Sequence, residues 1–431
     1  MLLEDVMLQI APGRRPAGSS AHRRQEVRGL TPDVRRVSPG TVFVALPERH
    51  RADPLAAYAA ADRGARAVIC EPDAILPAGL ARIEVPDCRR AFAQAAAAFF
   101  GHPERSLQFF GVPSEADSGR ETRLFSTNVT HLLAQLLSRP GQAAAGFSEL
   151  SCEAADRVLH RRVSELDFFE FFELLAQAVR RGQQQVVVEL NLQWRHALEP
   201  ELRFKMGPGG GLDDVDFQGT WRGSVGRIDG APVSSRLVGR QNWRALNQAW
   251  RTVQSAGMAT ELGRIPRLRP TPGFLEPVQA GQPFGVLVDA ARTPVAVRNL
   301  LDDVRTFATG RLILVLGAPE SLGEWGRREL GQAASSADFT VVTSDDPGQS
   351  SVESLSAELA EGLKAGAWGL EPDRERALFR AISLARAGDV VLVTGKAHTR
   401  TEIRQSTVIP WDDRDLLSAA LAVRGYGGTR L

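Results

Sequence analysis

Residues 285–317 read GVLVDAARTPVAVRNLLDDVRTFATGRLILVLG. The apolar runs Gly285–Asp289 and Arg311–Gly317 suit strands covered on both faces, and Val295–Phe307 between them reads as the helix that joins parallel neighbours. The same alternation continues with a helix over Glu324–Ala334, a strand over Phe339–Thr343, helices over Ser354–Leu363 and Asp373–Ala387, and a strand over Val390–Thr394. Such an order predicts a parallel sheet with helices on both faces, whose ligands bind at the carboxyl ends of the strands. Asp289, Gly317, Asp345 and Gly395 all fall at such ends.

Moving towards the N-terminus, Asn242–Ser255 reads as a helix, and alternation over Phe217–Ile228 within the Gly-rich stretch Phe204–Arg240 suggests hairpins. Gln185–Leu190, QVVVEL, has the β-branched character of a strand buried on both faces, and Phe168–Arg181 is a helix with an apolar face. Leu107–Val112, LQFFGV, is a short strand followed by a polar, Gly-containing stretch and a helix-like run, Thr130–Leu137. Strand, loop and helix in that order are the layout of a nucleotide site. The start of the chain supplies a strand over Thr41–Leu46 after a Pro-Gly turn, a helix over Pro54–Gly64, strands over Ala67–Cys70 and Arg82–Val85, and a helix over Arg89–Phe100.

A chain of 431 residues is too long for one compact core, and these patterns divide it into segments 1–105, 106–272 and 273–431. Lys+Arg 52 against Asp+Glu 51 gives a net charge of +1, which leaves no overall field to favour nucleic acid or an anionic membrane. Cys70, Cys88 and Cys152 lie far apart without a CxxC pair, so no zinc ribbon, dithiol site or disulfide framework is expected. The N-terminus lacks a charged head before an apolar run, and nothing approaches the roughly 20 apolar residues of a membrane span. A cytoplasmic protein is the expectation.

Several phrases resemble known motifs. VDAARTP (Val288–Pro294) is similar to V-D-Y-A-H-T-P, TSDDP (Thr343–Pro347) to T-S-D-N-P-R, and TGKAHT (Thr394–Thr399) to A-G-K-G-H-E. DVRRVSPGTVFVAL (Asp33–Leu46) resembles D-S-R-x-V-x-P-G-x-L-F-V-A-L and is followed by GARAVI (Gly64–Ile69) and GHPERSL (Gly101–Leu107). GRQNWRALNQAW (Gly239–Trp250) looks like a G-x-x-N-x-x-N helix. In this order the phrases resemble, from end to end, a Mur ligase of the type that adds the third residue to the UDP-N-acetylmuramoyl peptide. The resemblance implies an α/β protein of three domains: one that holds a UDP-sugar, a central P-loop ATPase domain, and a Rossmann-like C-terminal domain that brings the amino acid. It also implies the reaction, in which a carboxylate and ATP form an acyl phosphate that an amine attacks to give an amide.

The departures from the family lie in its catalytic motifs. Where it has T-G-T-N-G-K-T-T this chain has PSEADSGRET (Pro113–Thr122), in which Pro113 lacks an amide donor, Glu115 and Asp117 add negative charge, and only Gly119, Arg120 and Thr122 echo G-K-T. VVVELN (Val186–Asn191) keeps Glu189 as a candidate magnesium ligand but not the serines of E-V-S-S-H. The N-L-x-x-D-H-L-D-x-H segment and the carbamylated lysine have no counterpart, so the central domain is truncated. Arg292 replaces a His, Phe274 replaces the Arg before Glu276, and APESLGEW (Ala318–Trp325) replaces a Gly/Asp/Arg-rich loop. Asp346-Pro347-Gly348 stands for N-P-R, and Thr399 for Glu.

The expectation is therefore a pseudoenzyme without catalytic residues, resident metal or cofactor, with a binding, scaffolding or regulatory role and an active cell-wall ligase or other protein as partner. Asp289, Arg292, Asp345, Asp346, Lys396 and His398 form a candidate residual ligand pocket, while Asp33 and Arg35 are candidate contacts for a UDP-linked precursor. The rival reading is a rebuilt ATP-dependent ligase using Arg120 for the lost lysine and Glu189 for magnesium. Phe168, Phe169, Phe171 and Phe172 cover more than one helical face, which leaves a partner surface beside a core role, whereas Trp194, Trp221, Trp243 and Trp250 favour the core. His131 and His160 are isolated histidines of surface or core.

Overall fold

The computed structural model describes residues 1–11, 26–48, 53, 55–78, 80–114, 120–154, 157–198, 202–207, 216–397, 401–404 and 407–427, without the side chains of 120–123, 193 and 402–404. These residues form two compact units, Met1–Gly207 and Pro208–Leu431.

The first unit holds two sheets. Strands β1 (Gly29–Thr31), β2 (Thr41–Val44), β3 (Ala67–Cys70) and β4 (Ala81–Glu84) are parallel and lie in chain order. Helix α2 (Ala56–Asp62) closes a small cluster around Phe43 and Val68 on one face. On the other, α1 (Leu3–Ile10) and α3 (Cys88–Phe99) pack over Val42, Val44 and Ile69. The second sheet runs β10 (Phe204–Met206), β5 (Gln108–Pro113), β9 (Gln185–Leu190), β6 (Ala145–Phe147), β7 (Cys152–Ala154) and β8 (Arg157–Leu159). Its first four strands are parallel, and β7 and β8 add an antiparallel edge. Every residue of β9 is buried, the apolar run Val186–Val188 together with Gln185 and Glu189. Helix α4 spans Arg120–Leu137, starting well before the expected Thr130, so Arg120 and Thr122 belong to its first turns.

Helix α5 (Phe168–Arg180) begins with a capping box in which Asp167 Oδ1 accepts from the Glu170 N–H (2.9 Å) and Glu170 Oε2 from the Asp167 N–H (3.2 Å). Its rings correct the partner-surface alternative. Phe168, Phe171 and Phe172 are buried, and Phe169 packs on Phe99 and Phe100 at 5.0 and 4.8 Å between centroids. Four rings exceed one helical face because the helix is covered twice, by the second sheet and by α3, where Phe92 meets Phe168 at 5.7 Å. One hydrophobic cluster thus runs from Leu3 through both sheets to Leu202, including Trp194 of α6 (Leu192–Leu198).

In the second unit, the antiparallel strands β11 (Phe217–Thr220), β12 (Gly223–Ile228) and β13 (Ala231–Ser235) precede α7 (Arg240–Ser255). Trp243 of α7 is fully buried and donates to Ser224 Oγ, and Trp250 is buried and donates to Asp229 Oδ2 (2.7 Å). The main sheet has the order β14 (Glu276–Pro277), β15 (Gly285–Asp289), β19 (Val390–Thr394), β16 (Leu312–Gly317), β17 (Phe339–Thr343), β18 (Trp368–Leu370). All but β14 are parallel. Helices α8 (Pro294–Arg305), α9 (Gly323–Ala334) and α10 (Val352–Ala360) share a cluster with alternate strand residues, among them Leu287, Leu314 and Leu392. Helix α11 (Arg374–Leu384) packs on the other residues of those strands, and α12 (Asp413–Val423) packs on α11 after the hairpin β20 (Thr401–Arg404) and β21 (Thr407–Pro410). Inserting β19 between β15 and β16 creates the switch in strand order beside which such sheets hold ligands. Among the described residues no helix is long and apolar enough to cross a membrane.

Candidate functional site

Two places in the fold carry the residues singled out above. The first is the carboxyl end of β5 and β9. Pro113 closes β5, the Ser114 N–H bonds back to the Leu190 carbonyl (2.8 Å), and Ser126 Oγ of α4 donates to the Pro113 carbonyl (2.7 Å). Gly119 lies outside the described residues, and of Arg120 and Thr122 only the helical backbone is described. Glu189 is buried at the end of β9, where its Oε2 accepts from Thr127 Oγ1 (2.8 Å) and from the Glu149 N–H (2.9 Å). Burial pushes its carboxyl up to about 7, against the pull of those two donors. Glu189 therefore ties α4 to the β6–β7 turn, and near neutral pH a substantial share of it carries a proton.

Asp33 and Arg35 come together, with each other. Asp33 caps a single helical turn by accepting from the Arg35 N–H (3.0 Å), while the Arg35 guanidinium reaches its carboxylate through Nε (3.0 Å) and Nη2 (2.7 Å). The bond from Arg35 holds the Asp33 carboxyl at about 2. Next to them Arg36 joins Glu170 at 3.0 Å, and Arg161 reaches the same carboxylate at 2.8 Å.

The second place is the carboxyl end of the main sheet. Asp289 accepts from the backbone N–H groups of Leu275 and Ala291, both at 2.9 Å, and burial pushes its carboxyl up to about 7 against those donors. Its carboxylate serves the neighbouring loop. Arg292, by contrast, grips Asp345 with Nε (2.8 Å) and Nη2 and also reaches Asp346 (3.1 Å). Asp345 is buried between Gly317 and Gly395, and at Gly395 (φ 103) a Cβ would come within 2.6 Å of its Oδ2. Lys396, whose side chain is wholly enclosed, donates to Asp346 Oδ1 and more weakly to the Thr401 carbonyl (3.4 Å). His398 lies outside the described residues.

Sequence reasoning missed a fully buried ion pair of this region. Arg374, at the start of α11, is fully buried and binds Asp413 through Nε (2.9 Å) and Nη2 (2.6 Å), and it also donates to the Ser344 and Thr394 carbonyls. Trp411 Nε1 adds a bond to Asp413 (2.9 Å). Burial alone would raise the Asp413 carboxyl, but Arg374 prevails and holds it below its ordinary value. No local pattern marks Arg374, one of several arginines in a charged stretch. Among the described residues no group of three or more His, Cys, Asp or Glu could hold a metal.

The pattern of the family described as "Mur ligase, glutamate ligase domain" matches residues 275–397, the segment that builds this sheet end. Across 94% of the chain, the sequence is 29% identical to a UDP-N-acetylmuramyl-tripeptide synthetase of Roseiflexus sp. (strain RS-1), 96% of which is covered. Along nearly its whole length the chain is similar to Mur ligases. A UDP-N-acetylmuramoyl-L-alanyl-D-glutamate--2,6-diaminopimelate ligase of Solibacter usitatus (strain Ellin6076) is 28% identical over 94% of this chain and 95% of its own. That alignment runs over 484 positions, more than the chain has residues, so the relative carries segments missing here. A solved structure of a ligase with the same printed name shares the three-domain α/β architecture, with a TM-score of 0.62 at 18% identity over 99% of both chains. The MurF ligase from Thermotoga maritima in complex with ADP gives 0.54 at 15% identity, covering 94% of this chain and all of the other.

Proposed function

We propose that this Mur ligase family member is a pseudoenzyme of peptidoglycan precursor synthesis: it forms no amide bond and acts as a binding, scaffolding or regulatory partner of an active cell-wall ligase in the cytoplasm. The observation that carries the reading is the end of β5, where Pro113 and the acidic stretch after it stand in place of a glycine-rich phosphate cradle. A phosphate at a helix N-terminus needs backbone N–H donors and a cation, and this segment opens with a proline and sets three carboxylates, Glu115, Asp117 and Glu121, against the single cation Arg120. Glu189 Oε2 is already engaged by Thr127 and the Glu149 N–H, which ties that oxygen to the packing of the fold. Losing one well-placed donor costs roughly 10² to 10³ in rate, and combined loss of cradle, metal and charge could reach ~10⁶. Asp33 and Arg35 pair with each other at the surface, so contact with a UDP-linked precursor would have to exchange that pair.

The rebuilt-ligase reading rests on the position of Glu189 at the strand end beside α4, and on the names of the relatives. Calorimetric titration with magnesium ATP, and separately with a UDP-N-acetylmuramoyl peptide, separates the two. The pseudoenzyme gives no heat with magnesium ATP; tight, saturable ATP binding would sink it and call for an assay of amide formation. Co-purification that returns no ligase of the same pathway would remove the scaffolding role.

A further inference from the structure

The cations at the carboxyl end of the main sheet converge on a residue of the protein's own chain. Asp346 follows β17 in the left-handed region (φ 49), which non-glycine residues rarely adopt. Its carboxylate lies between Lys396 Nζ, which donates to Oδ1, and Arg292 Nη2, which donates to Oδ2 at 3.1 Å. Both cations are withdrawn from water, with side-chain exposure of 0% for Lys396 and 13% for Arg292. Arg292 is aimed by Asp345, itself wedged between glycines. One guanidinium and one ammonium gripping a single carboxylate is how proteins recognise carboxylate ligands, and here it stands beside the switch in strand order. The segment is also fastened from its far side. Glu320 accepts from Ser350 Oγ (2.6 Å), and its other oxygen leaves no room for a Cβ at Gly348 (φ 61).

We propose that Arg292 and Lys396 form a carboxylate-binding site that Asp346 occupies as an intramolecular ligand, closing it to small free carboxylates. Among Arg292, Lys396, Asp345 and Asp346 the two positive and two negative charges balance. This inference is independent of the pseudoenzyme reading, because it involves no nucleotide and its readout is not activity.

The test replaces the internal ligand and supplies an external one. Asp346→Gly removes the carboxylate, vacates the space between the two cations and suits the left-handed backbone. Thermal unfolding of the full chain is measured in sodium acetate and in sodium chloride at matched ionic strength and pH, with the unaltered protein reporting the nonspecific salt effect. The expected result is a lowered midpoint for D346G in chloride and a saturable recovery of several degrees in acetate, beyond any gain of the unaltered protein. Adding Lys396→Met to D346G should abolish that recovery. A D346G midpoint that responds to the two salts as the unaltered protein does would overturn the proposal and leave the cluster as a structural ion pair. Should D346G fail to fold in chloride, refolding yield in the two salts makes the same comparison, and equal yields overturn it.

Discussion

Glu189 is held between burial, which keeps its proton on, and two donors that favour its charge; burial wins, and the carboxyl sits at about 7. An acid bound more tightly by protons in the folded than in the unfolded state favours folding fully only below its unfolded value, near 4.5. That advantage drains away as pH rises and is gone above about 7. At roughly 1.4 kcal/mol per unit the whole loss is on the order of 3 kcal/mol. Glu189→Gln should therefore raise stability to urea at pH 8 and leave it nearly unchanged at pH 4.5. A loss at pH 8 would instead show that the charged form is in use, as by a bound cation. Arg374 and Asp413 present the opposite case, a buried pair in which both charges are kept. Arg374→Met strands the Asp413 carboxylate and should cost about 3–5 kcal/mol in urea unfolding, while joining it to Asp413→Leu should recover most of that. A single-substitution cost under ~1 kcal/mol would mean that water reaches the pair.

At the level of elements, buried parallel strands were the most legible. Gly285–Asp289, Phe339–Thr343, Val390–Thr394 and Gln185–Leu190 stand at the bounds their β-branched, largely apolar runs indicate, because a strand covered on both faces buries nearly every side chain it carries. Edge elements were not legible: β14 and β18 are too short to show a period, and α1, α12 and the β20–β21 hairpin lie outside the alternation that marked the rest. In the candidate sites the motifs located Arg292, Asp345, Asp346 and Lys396, but which cation meets which carboxylate depends on loops brought together across the sheet end. Helix α5 shows the same limit, since its rings could be counted in the sequence while the second surface they meet could not. Phe171 touches Phe147, Phe172 and Trp194 at centroid distances of 4.9, 5.6 and 5.1 Å. Phe171→Ala should cost about 3–5 kcal/mol in urea unfolding of the full chain. A cost near that of a surface change would mean that the α5 rings contribute little to the core.

Across the whole molecule, chemistry and packing divide the chain differently. Motifs suggest segments ending near 105 and 272, whereas the described residues form units that part at Gly207 and Pro208. The first unit joins segment 1–105 to the part of the next segment up to Gly207, and the cluster from Leu3 to Leu202, with the Phe92–Phe168 and Phe100–Phe169 contacts across it, is their common core. Local sequence marks strands and helices; which faces meet is decided by long-range burial, which motif boundaries do not report. A fragment of residues 1–207 should then unfold in one cooperative transition by circular dichroism, with secondary and aromatic signals lost together. Residues 1–105 alone lack α5 and α6, which cover α3, and should show a broad, low-temperature melt. Two resolved transitions in 1–207, or a sharp one in 1–105, would mean that the aromatic seam joins two domains already stable by themselves.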